Sequence, residues 1–189
     1  QTCALPISVG NSCMRTNTTG TGNVAVGAHS LYTNTTGGSN VAIGHASMNT
    51  LTTASNNTAV GYYTMLSNTT GHSNVAIGKD AMTASTTSTG NVAVGYQALE
   101  AQTTGSDNIA IGYDAGKSLT TGANNTFIGG ACGDAITTGS GNTAMGSDSL
   151  SVATTCSYNT AFGKRALYVN TTADSNTAVG YNALVAATT

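Results

Sequence analysis

One sentence is written over and over in this chain, and its beat is 17 residues. Asn returns at Asn23, Asn40, Asn57, Asn74, Asn91, Asn108, Asn125, Asn142, Asn159 and Asn176. A glycine follows four places later in every copy, from Gly10 to Gly180, and a Thr-Thr pair keeps the same time from Thr18-Thr19 to Thr188-Thr189. Nothing is inserted or deleted across eleven copies. A fixed period of this size marks a repeat architecture, in which each unit buries its apolar side only by stacking on the next.

Numbering the slots from Asn as 1, the repeat reads Asn, Val/Thr, Ala, large apolar, Gly, often Tyr, variable, small, Leu/Met, three variable positions, Thr, Thr, Gly, variable, Ser/Asn/Gly. Two helices do not fit in such a unit with Gly at slots 5 and 15. The expectation is an all-β, parallel β-solenoid (β-roll) of eleven 17-residue coils, about 50 Å long at the strand spacing of about 4.8 Å. Slots 1–5 read as a short strand ended by glycine, and slots 8–12 as a second extended segment. The asparagines would stack as a structural ladder, each amide donating and accepting along the file. Of each adjacent Thr pair, one side chain should face in and the other out.

Volume compensation locates the interior. Slot 3 is Ala from Ala25 onward except at Phe127, and slot 9 is Leu or Met except at Gly116 and Gly133, in the coil of Phe127 and the one before it. Bulk appears at one slot where it is missing at the other, as expected of neighbours in one close-packed core. Slots 3, 8 and 9 are therefore read as interior. Alternation then turns slot 4 outward, giving a candidate oligomer stripe of Val26, Ile43, Val60, Ile77, Val94, Ile111, Ile128, Met145, Phe162 and Val179. The opposite assignment, with slots 2 and 4 in the core and Ala toward water, stands as the alternative.

Composition narrows the function. Charged residues are 6% of the chain and the net charge is −2. Five scattered Lys and Arg do not neutralise a run of phosphates, so no nucleic-acid partner is expected. No apolar run approaches the ~20 residues of a spanning helix, so no membrane insertion is expected either. Residues 1–8 look like a translated sequencing-adapter end and are set apart from the solenoid at 9–189, which looks cut at both ends, as in a fragment of a longer chain. Cys13 and Cys132 share a small-residue slot and Cys156 replaces a Gly, so no disulfide or zinc pattern emerges.

The repeat Asn-Val-Ala-Ile-Gly resembles the head repeats of trimeric autotransporter adhesins. The longer Asn-Thr-Ala-Val-Gly-Tyr-x-Ala-Leu at 176–184, preceded by Asn-Thr-Thr at 170–172, resembles repeats of bacteriophage tail fibres. The resemblance covers 9–189 and implies a left-handed β-roll, a homotrimer and a place on a virion or a bacterial cell surface. It also implies a structural and adhesive role, presenting or supporting the binding of a surface glycan or protein receptor. The period departs from the adhesin form.

Catalysis needs unlike residues to converge, which a strict repeat resists. His29, His45 and His72 fall in slots 7, 6 and 16 and form no column. Asp80, Asp114 and Asp148 share slot 7 in alternate coils, about 9–10 Å apart, too far for the carboxyl pair of a retaining glycosidase. Gly116-Lys117-Ser118 lacks the earlier glycine of a phosphate loop, where Ile111 stands. No enzyme, cofactor or metal site is expected. Candidate ligand contacts are the slot-6 tyrosines Tyr62, Tyr96, Tyr113 and Tyr181, with stacking between coils as the plainer use of the same rings. The rival from another class is an ice-binding solenoid, which wants two outward Thr per strand, whereas the recurrent Thr here are adjacent.

Overall fold

A computed structural model describes residues 5–186; the first half of the adapter-like segment, Cys3 included, and Thr188-Thr189 lie outside the described residues. Eleven three-residue strands, from β1 (Ile7–Val9) to β11 (Thr177–Val179), form one parallel sheet in strict sequence order. The chain is a β-solenoid of about ten turns with no helix among the described residues. Every strand pairs with the next at a shift of one repeat, as in Val75↔Val92 and Ala76↔Ala93. Register follows from the side-chain files, since a slip of one residue would turn Ala outward and the apolar flanks inward. The sheet begins at Ile7, which pairs with Val24, so Ile7 and Ser8 extend it two residues ahead of residue 9. Backbone pairing does not depend on their side chains.

The strand occupies slots 2–4 alone. Ala25, Ala42, Ala59, Ala76, Ala93 and Ala110 are fully buried, while slots 2 and 4 lie on the outer face. Slots 8 and 9 are buried opposite them, as at Ser30 and Leu31. The pairing of Phe127 with two glycines is direct: a Cβ at Gly133 would stand 2.7 Å from the Phe127 ring, and one at Gly116 2.9 Å.

Slots 8–12 are not a second strand. Slots 6–11 run as consecutive turns, with left-handed residues at slots 7 and 9, such as Gln97 (φ 54°) and Leu99 (φ 51°). Only glycine, Asn and Asp enter that region cheaply, so the bent backbone is held by what it delivers, a large side chain at slot 9 sealed in the core. Leu31, Met48, Met65, Met82 and Leu99 are all fully buried there. Slot 5 needs glycine for a stronger reason. At Gly95 φ is 144°, and a Cβ would lie 2.2 Å from the carbonyl oxygen of Gly112 in the next coil.

Two further slots face inward. Slot 12 is buried whether it holds Leu51, Asn68, Ser85, Gln102 or Ile136, and slot 15 is buried at Gly71, Ser88, Gly105 and Cys156. The Thr pair does not divide between core and solvent. At slot 13 the hydroxyl donates to the carbonyl of the Thr one coil on, as from Thr52 to Thr69 (3.1 Å) and Thr86 to Thr103 (3.1 Å). At slot 14 it points to water. Neither reaches the interior, because slots 12 and 15 already fill that side.

Burial sets thiol reactivity. Cys132 and Cys156 are fully buried and free, and burial pushes both thiols up to about 11. Cys13 is free and partly exposed. In native iodoacetamide labelling read by peptide mass spectrometry, Cys13 is expected to modify at least about tenfold faster than Cys132 or Cys156, because only the exposed thiolate reacts. Equal rates for the three would contradict the burial described here.

Candidate functional site

The asparagine ladder is the backbone of the stack. From Asn23 to Asn142 each Asn side-chain oxygen accepts both the main-chain N–H and the amide of the next Asn, as Asn74 Oδ1 does from Asn91 (2.9 and 3.1 Å), while Asn159 accepts the main-chain N–H of Asn176 alone. From Asn23 to Asn159 each amide also donates to the slot-15 carbonyl of its own coil, as Asn74 does to Ser88 (2.8 Å). The file runs without a break from Asn23 to Asn176. It holds the corner where the chain enters the strand and is not a surface for a ligand, since Asn40, Asn57, Asn74 and Asn91 are fully buried.

On the outer face of the sheet the slot-4 residues form a continuous apolar file. Ile43, Ile77 and Ile111 are about two-fifths exposed, Phe162 is 53% exposed, and Val26, Val60, Val94, Ile128 and Met145 lie half-buried between them. Val179 stands exposed at the far coil. Slot 2 adds Val24, Val41, Val75, Val92 and Ile109 to the same face, giving way to Thr126, Thr143, Thr160 and Thr177 in the later coils.

Nearly all remaining chemistry is gathered on one corner, at slots 6, 7 and 10. It holds every Lys and Arg of the chain (Arg15, Lys79, Lys117, Lys164, Arg165) and five of its seven acids (Asp80, Glu100, Asp114, Asp134, Asp148). Seven of eight tyrosines stand there too, Tyr158 being the exception. These slots share one property: the turn keeps them out of the central hydrophobic core, so their identity is free to vary.

The corner is organised by stacking. Tyr96 and Tyr113 lie with ring centroids 5.4 Å apart at 12°, and the Lys79 ammonium sits 5.3 Å from the Tyr96 ring. His29 and His45, which the spacing kept apart, meet at 6.0 Å. Slot 7 of one coil and slot 6 of the next are neighbours across the turn, which a reading by columns alone does not reveal. His45 stacks in turn on Tyr62 (5.3 Å, 17°), and Tyr62 lies against Tyr63 (4.0 Å). Tyr181 belongs to the same file but has no ring beside it in the preceding coil, where Lys164 stands.

Ion pairing is local. Lys117 donates to Gln97 Oε1 (2.8 Å) and lies 3.7 Å from Asp114 and 3.9 Å from Glu100. Burial raises the Asp134 carboxyl, and Asp114 and Asp148 push it the same way against a hydrogen bond from Ser151 (2.7 Å). Asp80 holds the exposed Lys79 ammonium above its ordinary value by hydrogen bond and charge. A hydrogen bond with Tyr63 raises Tyr62. Among the described residues no three His, Cys, Asp or Glu converge as a metal site, and no helix is long and apolar enough to cross a membrane. A depression at the first coil is lined by Leu5, Pro6 and residues 17–21, none of them titratable.

No family model, curated protein or solved structure matches the chain.

Proposed function

We propose that this chain is a structural and adhesive segment of an extended surface fibre, of the kind found on phage tails or on bacterial trimeric adhesins, assembled from three copies. The observation that carries the reading is the outward apolar file of slot 4, which runs the length of the stack and has no cover among the described residues. A stripe that long is a liability on a single soluble chain and an asset at a self-contact. Three copies sharing one axis bury it completely and leave the charged and aromatic corner outside, where three copies multiply any weak contact into avidity.

Size-exclusion chromatography with light scattering is expected to give three times the chain mass. Ile77→Lys together with Ile111→Lys places six like charges on the shared axis, and the double variant is expected to run as a monomer. High salt leaves the wild-type trimer intact, because the contact is apolar. A monomeric wild type at tens of micromolar removes the fibre reading.

One observation favours a second reading. The slot-14 residues Thr19, Thr36, Thr53, Thr70, Thr87, Thr104, Thr121, Thr138, Thr155 and Thr172 are all exposed. Ser or Thr recurs two places on, at Thr21, Ser55, Thr89, Ser106, Ser140 and Ser157, outside the buried slot 15. The outward pair that an ice-binding face wants is thus present in about half the coils. Several of these second hydroxyls are engaged, however, as Ser55 is by the Gly38 N–H (3.0 Å). Thermal hysteresis separates the two readings, since a fibre segment shows none.

A further inference from the structure

The ring file at slot 6 stops at one place. Tyr113 stacks one face on Tyr96, and the next residue in the file is Gly130. A Cβ placed on Gly130 meets no atom within 4 Å, unlike any other glycine described in the chain. Its slot-7 neighbour is Ala131, so at slots 6 and 7 this coil raises nothing longer than a methyl group. The coils on either side do, with Tyr113 and Asp114 before it and Ser147 and Asp148 after it. The result is a notch one coil deep, with a mouth of two strand spacings, about 9–10 Å.

The walls of the notch are unlike each other. Tyr113 is 60% exposed, and the face it does not share with Tyr96 is turned to the gap. The far wall carries the Ser147 hydroxyl and the Asp148 carboxylate, hydrogen-bonded to each other at 3.2 Å. Asp134 stands in the same coil as Gly130, and Asp114 Oδ1 is buried without a hydrogen-bond partner. An aromatic face opposite acceptor-only carboxylates suits a molecule with one flat C–H face and a rim of hydroxyl donors. Three carboxylates with Lys117 as the nearby cation turn an anionic ligand away.

The geometry points to the notch over Gly130 as a binding site for one uncharged pyranose ring, stacked on Tyr113 and donating hydroxyl hydrogens to Asp148 across the gap. It deepens the adhesive reading and rests on it for its purpose, while its test is independent of assembly.

Saturation-transfer NMR on the full chain tests the site with three probes: the methyl pyranosides of glucose, galactose and mannose. Sorbitol, which has the hydroxyls without the ring, is the control. At least one pyranoside is expected to bind and sorbitol not. Tyr113→Ala weakens the binding about tenfold or more, the scale of a lost aromatic contact. Gly130→Tyr abolishes it by filling the gap. That substitution has open space and continues a file that already holds Tyr96 and Tyr113, so the fold survives it. Failure of all three pyranosides to bind, equal binding of sorbitol, or binding that persists in either variant overturns the site. A monomer that binds a pyranoside keeps the site and loses the fibre; a trimer that binds none does the reverse.

Discussion

Asn74→Ala is expected to cost about 3–5 kcal/mol and to divide the stack into two separately melting blocks. The alanine removes the oxygen that accepts the Asn91 N–H and its amide, and the amide that serves the Asn57 oxygen and the Ser88 carbonyl. An orphaned buried donor or acceptor costs about 1–3 kcal/mol, and more than one is left here where no water reaches. Because each coil touches only its neighbours, a fault in the middle is not averaged over the molecule. Urea denaturation followed by circular dichroism checks this: one transition in the wild type, two in the variant, with the lower midpoint well below the original. Thr53→Ala, at an exposed slot-14 position, is the control and should stay within about 0.5 kcal/mol. A single unshifted transition in Asn74→Ala would mean that the ladder is incidental to the stack.

The second large effect is a rescue. Phe127→Ala opens a void between two glycines and is expected to cost about 3–5 kcal/mol. Gly133→Leu in the wild type sets a branched side chain against the Phe127 ring and also destabilises, by about 1–3 kcal/mol. Combined, the two should recover most of the loss, and adding Gly116→Leu should recover more, because the triple variant restores the Ala/Leu pairing of the neighbouring coils. The backbone permits it: Gly133 has φ 61° and Gly116 φ 59°, close to the 51° at which Leu99 already sits. Thermal denaturation of the single, double and triple variants gives the coupling, expected at about 2 kcal/mol or more. Simple additivity would show that slots 3 and 9 do not share space.

Both experiments rest on features that the amino-acid pattern made legible. The period gave coil number and register, and the exception at Phe127 gave the inner face. What it concealed has a common cause. A turn of left-handed residues at slots 7 and 9 is not announced by Gln97 or Leu99, since neither prefers that conformation. The supposed second strand was such a turn. Slot 12 stayed hidden because it accepts Leu, Ile, Asn, Ser and Gln alike, and its burial shows only when the core is closed around it. The contact of His29 with His45 lay between columns, and the vacancy at Gly130 was masked by the abundance of glycine elsewhere. Sameness down the columns was readable, whereas differences across the turn needed coordinates.

The unbroken register of the eleven strands bears on how such a chain changes over generations. Every joint between coils is the same joint, so a crossover between misaligned copies of the gene adds or removes a whole rung with no new contact to invent. Length is then adjustable in steps of about 4.8 Å, and a feature such as the gap over Gly130 can be moved along the stack, nearer to one end or the other, without being rebuilt.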